Sequence, residues 1–248
     1  KELPLVNGIF IGVASLPVSL STSSVVPISD AIGWKAALST FGGVSLFGAI
    51  IWMFLGKTAS RAKGVEQQFS VGDVWRVLHS RNTLLLAAAD SGPYALYTAA
   101  LAWLPTFYHE IHGMSLAKAG ALMGLMSLAG VVSLTIASLA SLRYVKRRPF
   151  LVIPGVLVGI AGFGTFLLAD SLAVYIALIA LGFGSWFYLP TLMTIPMELP
   201  GADPNRVSVI FATIMSIGGV FRFLSPLTVG AITDLSGSYL PGLALFAI

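Results

Sequence analysis

Two ionisable side chains lie inside apolar stretches of this sequence, and they set the chemistry to look for. Arg222 sits in the run VSVIFATIMSIGGVFRFLSPLTV, residues 207–229, with no other charge in it. A guanidinium keeps its proton in a protein. One near the centre of a bilayer costs from about 3 to more than about 10 kcal/mol, so it faces a protein interior or a wet cavity rather than lipid. Its planar fork suits carboxylate-like anions. Three roles are open to it: binding an anion, pairing with an acid elsewhere in the protein, or capping backbone carbonyls.

Asp90 is the second such group. Asp90, Tyr94, Tyr97 and Leu101 follow helical spacing and share one face. The adjoining Gly92-Pro93 removes a backbone donor and favours a kink, and broken helices near the midplane are a common setting for substrate sites. An acid held there can exchange a proton; the alternative is a neutral Asp hydrogen-bonded to a neighbouring helix. A third group is Trp186, Tyr188 and Thr191, set among Gly182, Gly184 and Pro190. These side chains are candidates for substrate contact, with core packing as the alternative for each. At 1.5 Å per residue from the cytoplasmic start of each stretch, Asp90 lies about 10 Å deep and Arg222 about 24 Å deep. A direct Asp90–Arg222 pair is therefore not expected.

Other chemistry has little to stand on. The 248 residues include no Cys and only three His. His79, His109 and His112 fall in predicted loops, so neither a thiolate site nor a buried His-rich metal centre is expected, and no cofactor is called for. No Gly-x-x-x-x-Gly-Lys-Ser/Thr loop occurs, which argues against ATP-driven work by this chain. One Asp and one Arg inside the spans are too few for an intramembrane enzyme running acid–base or metal chemistry.

The elements that must position these residues are membrane spans. Hydrophobic residues make up 56% of the chain and charged residues 10%, against about 25% charged in a soluble domain. A crossing helix needs about 20 apolar residues. The runs 5–28, 34–55, 83–107, 117–142, 150–169, 172–197 and 207–233 qualify, and 239–248 is a cut one. The connector 56–82 is long and polar, with an amphipathic helix expected around 71–78. Lys and Arg fix the orientation. Eleven fall on one side, including Lys57, Arg76 and the Arg143–Arg148 cluster; Lys35 and Lys118 fall on the other. The first side is cytoplasmic, and the net charge of +4 is explained by topology rather than by nucleic acid. Gly8-x-x-x-Gly12, Gly120-x-x-x-Gly124 and Gly155-x-x-x-Gly159 offer close helix contacts. Trp103 reads as an interfacial anchor, and Glu198 and Asp203 as helix caps or partners of Arg206.

An internal echo adds an architecture. Ile28-Ser-Asp30-Ala-Ile-Gly33 matches Ile232-Thr-Asp234-Leu-Ser-Gly237 at an offset of 204 residues, and both copies lie on the outer face between two spans. Repeats of the same orientation imply two halves related by an axis along the membrane normal. The segment from Trp103-Leu-Pro-Thr-Phe-Tyr108 to Gly113-Met-Ser-Leu-Ala-Lys-Ala-Gly120 resembles spans seven and eight of the major facilitator superfamily. Gly33-Trp34-Lys35 resembles the turn before span six, and Glu198-Leu-Pro-Gly201 with Pro226, Gly230, Asp234 and Gly237 resembles spans ten and eleven. The resemblance implies an all-α integral membrane bundle, multi-pass in the cell membrane. It implies spans five to twelve of twelve: 1–55 as the last two spans of an N-terminal half, 56–82 as the central cytoplasmic loop, and 83–248 as the C-terminal half with its final span truncated. The family's cytoplasmic motif, Gly-x-x-x-Asp-Arg-x-Gly-Arg-Arg, aligns with Ser138 to Arg147. Arg143, Lys146 and Arg147 keep its basic character as gating candidates, while Ser138, Leu142 and Val145 replace its Gly and Asp.

The expected function is secondary transport of a small solute by alternating access, with a proton as coupling ion and an anion as substrate. Branches resembling cyanate permeases and organic-anion carriers point the same way. The expected partners are that solute, the bilayer and the N-terminal spans of the same protein. The competing expectation is a truncated membrane fragment or sensor that transports nothing.

Overall fold

The computed structural model describes residues 13, 17, 20–21, 23–56, 70–144, 146–168 and 172–247; every regular element among them is a helix. We number them α1 (Trp34–Leu55), α2 (Val71–Leu78), α3 (Arg81–His112), α4 (Leu116–Arg143), α5 (Arg148–Leu167), α6 (Leu172–Phe187), α7 (Leu189–Glu198), α8 (Pro204–Ser236) and α9 (Tyr239–Ala247). The first expected span falls mostly outside the described residues, as does the Gly8/Gly12 pair; 23–32 is helical.

Local sequence fixes the helix ends. Ser70, Ser80, Ser115 and Asp203 each precede a helix, and each side chain accepts a backbone N–H from its first turn. At Ser70 the bond is reciprocated by Asp73, completing a capping box on α2. The echo is structural in part, since ψ differs, 150° at Gly33 and 14° at Gly237. Gly33 and Gly237 both have positive φ, 83° and 68°, and each donates its N–H to the carbonyl four residues back, Ser29 and Thr233, at 2.8 Å.

Among the described residues, five stretches are long and apolar enough to cross a membrane: α1, α4 to Ser141, α5, α6 with α7, and α8. α6 and α7 are one span, Leu172–Glu198, interrupted at Tyr188. Pro190 there withholds the N–H that would bond the Trp186 carbonyl. α3 is long enough at 32 residues yet less apolar. It lies at the centre of the bundle, packed along α8 and also touching α4, α6 and α9. A helix lined by protein is released from the demand for an apolar surface. α4 packs on α6, and α5 on α6 and α9. α1 buries only Ala37.

The close approach expected of small residues occurs at Gly159, of one spaced pair, against the Ala247 carbonyl, and also at Gly182 outside those pairs. A Cβ on Gly182 would sit 1.9 Å from the Met126 carbonyl oxygen, so α6 and α4 touch backbone to side-chain-free backbone. Gly155 faces open space and Gly159 meets only the Ala247 carbonyl. His109 and His112 lie in the last turn of α3 rather than in a loop.

Besides Pro154 in α5 and Pro196 in α7, three prolines interrupt the ladders of α3 and α8. Pro93 and Pro105 lie within α3 and Pro226 within α8. Each lacks the N–H that would reach the carbonyl four residues earlier, at Ala89, Leu101 and Arg222.

Candidate functional site

α3 and α8 run parallel, and their contacts keep nearly constant register. Asp90 lies beside Gly218, Thr98 beside Ser225 and Trp103 beside Gly230. The Thr98 and Ser225 hydroxyls are 2.9 Å apart. Trp103 donates its indole N–H to the Pro226 carbonyl at 2.8 Å, so it joins two helices instead of anchoring an interface.

Arg222 and Asp90 form an ion pair, Nη2 to Oδ2 at 3.5 Å. This overturns the expectation that their depths keep them apart, and the register gives the reason. α8 begins about 6–8 Å below α3, so depths counted from each helix start have no common zero. The remaining gap is one turn, from Gly218 to Arg222, about 6 Å. Helix side chains tilt toward the N-terminus, and the long Arg222 side chain reaches back down that turn. Gly218 is the residue sequence reasoning missed. A Cβ there would sit 2.6 Å from Asp90 Oδ2, so the carboxylate needs its absence. The signal was available in the Gly218-Gly219 pair one turn before the charge.

Asp90 is fully buried, while the Arg222 side chain is 29% exposed. Tyr188, at the α6–α7 break, donates its hydroxyl to Asp90 Oδ1 at 3.0 Å and to the Asp90 carbonyl at 3.3 Å. The Arg222 guanidinium carbon lies 3.6 Å from the centre of the Tyr94 ring, a stacked cation–π contact. The guanidinium thus has one face on an aromatic ring and one nitrogen toward a carboxylate. Its Nε is buried and has no hydrogen-bond partner.

Of the expected site residues, the structure brings Asp90, Arg222, Tyr94 and Tyr188 into direct contact. Tyr97 and Trp186 form the next layer: the Trp186 ring meets Tyr94 and Tyr97 edge-on at 5.5 and 5.6 Å. The Tyr97 hydroxyl turns away to Ser127 on α4 at 2.9 Å. Thr191 is wholly buried, and its hydroxyl has no partner.

A second Arg–carboxylate pair lies at the cytoplasmic end. Arg147 grips Glu198 with two nitrogens, Nη2 to Oε1 at 2.7 Å and Nε to Oε2 at 3.2 Å. It ties the α4–α5 connection to the end of α7. Glu198 therefore pairs with Arg147 and not with Arg206; Arg206 donates to the Pro200 and Gly201 carbonyls. Asp203 caps α8, as the sequence suggested. Arg143 and Lys146 are exposed.

Comparison with known proteins bears on this arrangement. The chain is 27% identical over 263 aligned positions to the protein named "Probable sulfoacetate transporter SauU" of Cupriavidus necator, covering 96% of this chain and 60% of that protein. It is 33% identical over 155 positions to the cyanate transport protein CynX of Escherichia coli, covering 61% of this chain and 38% of that one. The chain thus spans under two thirds of either relative's length. The sequence model of the Major Facilitator Superfamily matches residues 1–222. With membrane-length helices, an all-α bundle and a family match over most of its length, this chain belongs to the major facilitator superfamily, as a multi-pass protein of the cell membrane.

Proposed function

We propose that this chain carries the larger part of a secondary transporter that moves a small organic or inorganic anion, coupled to a proton, by alternating access. The observation carrying the reading is the Arg222 fork, which pairs Asp90 through one nitrogen at 3.5 Å while its Nε has no partner. An oxyanion reaching the exposed part of the guanidinium would gain charge-assisted bonds, and the Tyr94 face would hold the guanidinium plane. The anion then competes with Asp90 for the same cation. Asp90 released from Arg222 is a buried charge left with only the Tyr188 hydroxyl, which taking up a proton relieves. Anion and proton would therefore load together. The names of the two relatives, one a sulfoacetate and the other a cyanate carrier, support an anionic solute.

The division 1–55, 56–82 and 83–248 belongs to this proposal. The matched glycine turns at Gly33 and Gly237 support equivalent places in two halves. In the same reading the Arg147–Glu198 pair, with Arg143 and Lys146 beside it, closes the cytoplasmic side and opens once per cycle.

The test is Asp90→Asn in the complete transporter, reconstituted in liposomes with sulfoacetate and cyanate as probe solutes. Accumulation driven by a proton gradient should vanish while solute exchange across the membrane stays within about threefold of wild type. Accumulation that persists in the variant removes Asp90 from coupling. Failure of the wild type to bind or move either probe, or other small carboxylates and sulfonates, removes the anion reading itself.

A further inference from the structure

At the cytoplasmic end of α5, the charges divide by direction. Arg147 is half-buried and turned inward to Glu198. Its neighbours Lys146 and Arg148 are exposed, and among the described residues neither takes part in an ion pair. Both rim a groove of about 600 Å³ whose remaining lining is Arg147, Pro149, Val152 and Ile153. The groove continues into an apolar stripe. Val152, Val156 and Ile160 recur every four residues, and with Ile153 all are more than half exposed. Glu198, the acid on Arg147, already has both oxygens engaged there.

The stripe needs a cover. α5 packs against α6, α9, α3 and α7, and α8 with its half-open Arg222 lies beyond them. The α5 stripe is therefore on the bundle's periphery, where lipid chains are its solvent. A chain lying along Ile160, Val156 and Val152 ends below two unpaired cations. Phosphate belongs at that height, since basic groups at the cytoplasmic surface attract anionic headgroups and their stems lie along the acyl region.

We infer that the groove between Lys146, Arg148, Val152 and Ile153 is a binding site for one anionic phospholipid, with phosphate on the two cations and an acyl chain on the α5 stripe. The site is independent of the transported solute. Because Lys146 and Arg148 flank Arg147 in sequence, occupancy also restrains the connection that bears the Glu198 pair. A basic cluster whose role is topology alone would draw anionic lipid to the surface as a diffuse layer; this site retains a single molecule.

The experiment is native mass spectrometry of the complete transporter released from bilayers of equal phosphatidylglycerol and phosphatidylcholine. The wild type should carry one phosphatidylglycerol that survives activation. Lys146→Gln/Arg148→Gln should lower its retention about twenty-five-fold, near fivefold for each surface cation removed. Arg76→Gln/Arg81→Gln removes equal charge from the same face and should leave the adduct unchanged. Equal loss in both double variants, or equal retention in the first, overturns the site. A measurement without substitution guards against misfolding: sn-glycerol 3-phosphate at millimolar concentration should not displace the lipid from wild type. Displacement by that headgroup alone would overturn the acyl half of the site.

Discussion

Two of the Arg–carboxylate pairs among the described residues, Arg147–Glu198 and Asp90–Arg222, differ in the opposite sense from what solvent alone would dictate. The Arg147–Glu198 pair, at the wet cytoplasmic end, is bidentate, with bonds of 2.7 and 3.2 Å. The Asp90–Arg222 pair, in the bundle core, rests on one contact of 3.5 Å. Burial strengthens Coulomb attraction and raises the penalty for an unsatisfied charge, so a pair built only for stability would be tighter inside than outside. Here the inner carboxylate is shared with Tyr188, and the inner guanidinium keeps an unpartnered nitrogen. The outer pair is arranged to hold two segments together. The inner one leaves part of its cation unengaged.

The largest expected difference is in stability. Arg222→Gln leaves Asp90 buried without its cation, which typically costs about 3–5 kcal/mol, whereas Arg147→Gln on the exposed pair should cost under about 1 kcal/mol. Thermal melts of the reconstituted transporter compare them. Adding Asp90→Asn to Arg222→Gln should recover most of the lost melting temperature without restoring anion binding. Equal losses from the two single changes would end the contrast.

A smaller effect belongs to Gly218→Ala. The new methyl meets Asp90 Oδ2 at 2.6 Å, so the carboxylate must rotate off Arg222, at about 1–3 kcal/mol for forced overpacking. Gly219→Ala, which meets nothing within 4 Å, is the matched control and should be near neutral. Anion affinity measured in both should change several-fold in the first alone; parallel behaviour would mean that Gly218 serves helix packing in general.

The smallest effect concerns Asp73, a carboxylate in open water. Hydrogen bonds from the Ser70 hydroxyl and backbone N–H, with Arg76 nearby, hold its carboxyl below the ordinary value. A depressed acid contributes its stability above the unfolded value and loses it as pH falls through the folded one. The α2 cap should thus be insensitive to pH from neutrality to about 4 and fray below that. Hydrogen exchange of the α2 amides reads it, and fraying between pH 7 and 5 would contradict the capping geometry.

The membrane-length helices were legible because a bilayer dictates length and apolarity, though the first expected span lies mostly outside the described residues. The amphipathic α2 was legible from its own pattern and cap. The inner pair was not. Its formation depends on how far α8 starts below α3, which no single stretch encodes, and on a side chain bridging a whole turn. The partner of Glu198 was hidden for a related reason: Arg147 is 51 residues away and arrives through the fold. Trp103 was hidden likewise, since its N–H reaches the Pro226 carbonyl across the α3–α8 contact, 123 residues away.

Pro93 and Pro226 have a mechanical consequence. The carbonyls they leave without a helical donor belong to Ala89 and Arg222, one beside the acid and the other on the cation itself. Each long helix is therefore missing a rung at the height of the charge pair. Above it, Thr98, Ser225 and Trp103 bolt α3 to α8. Flexure of the two helices breaks no backbone bond at these carbonyls, since none was made. The compliance of the two helices is concentrated at the height of the Asp90–Arg222 pair, so the pair also sits at the joint on which its own helices bend.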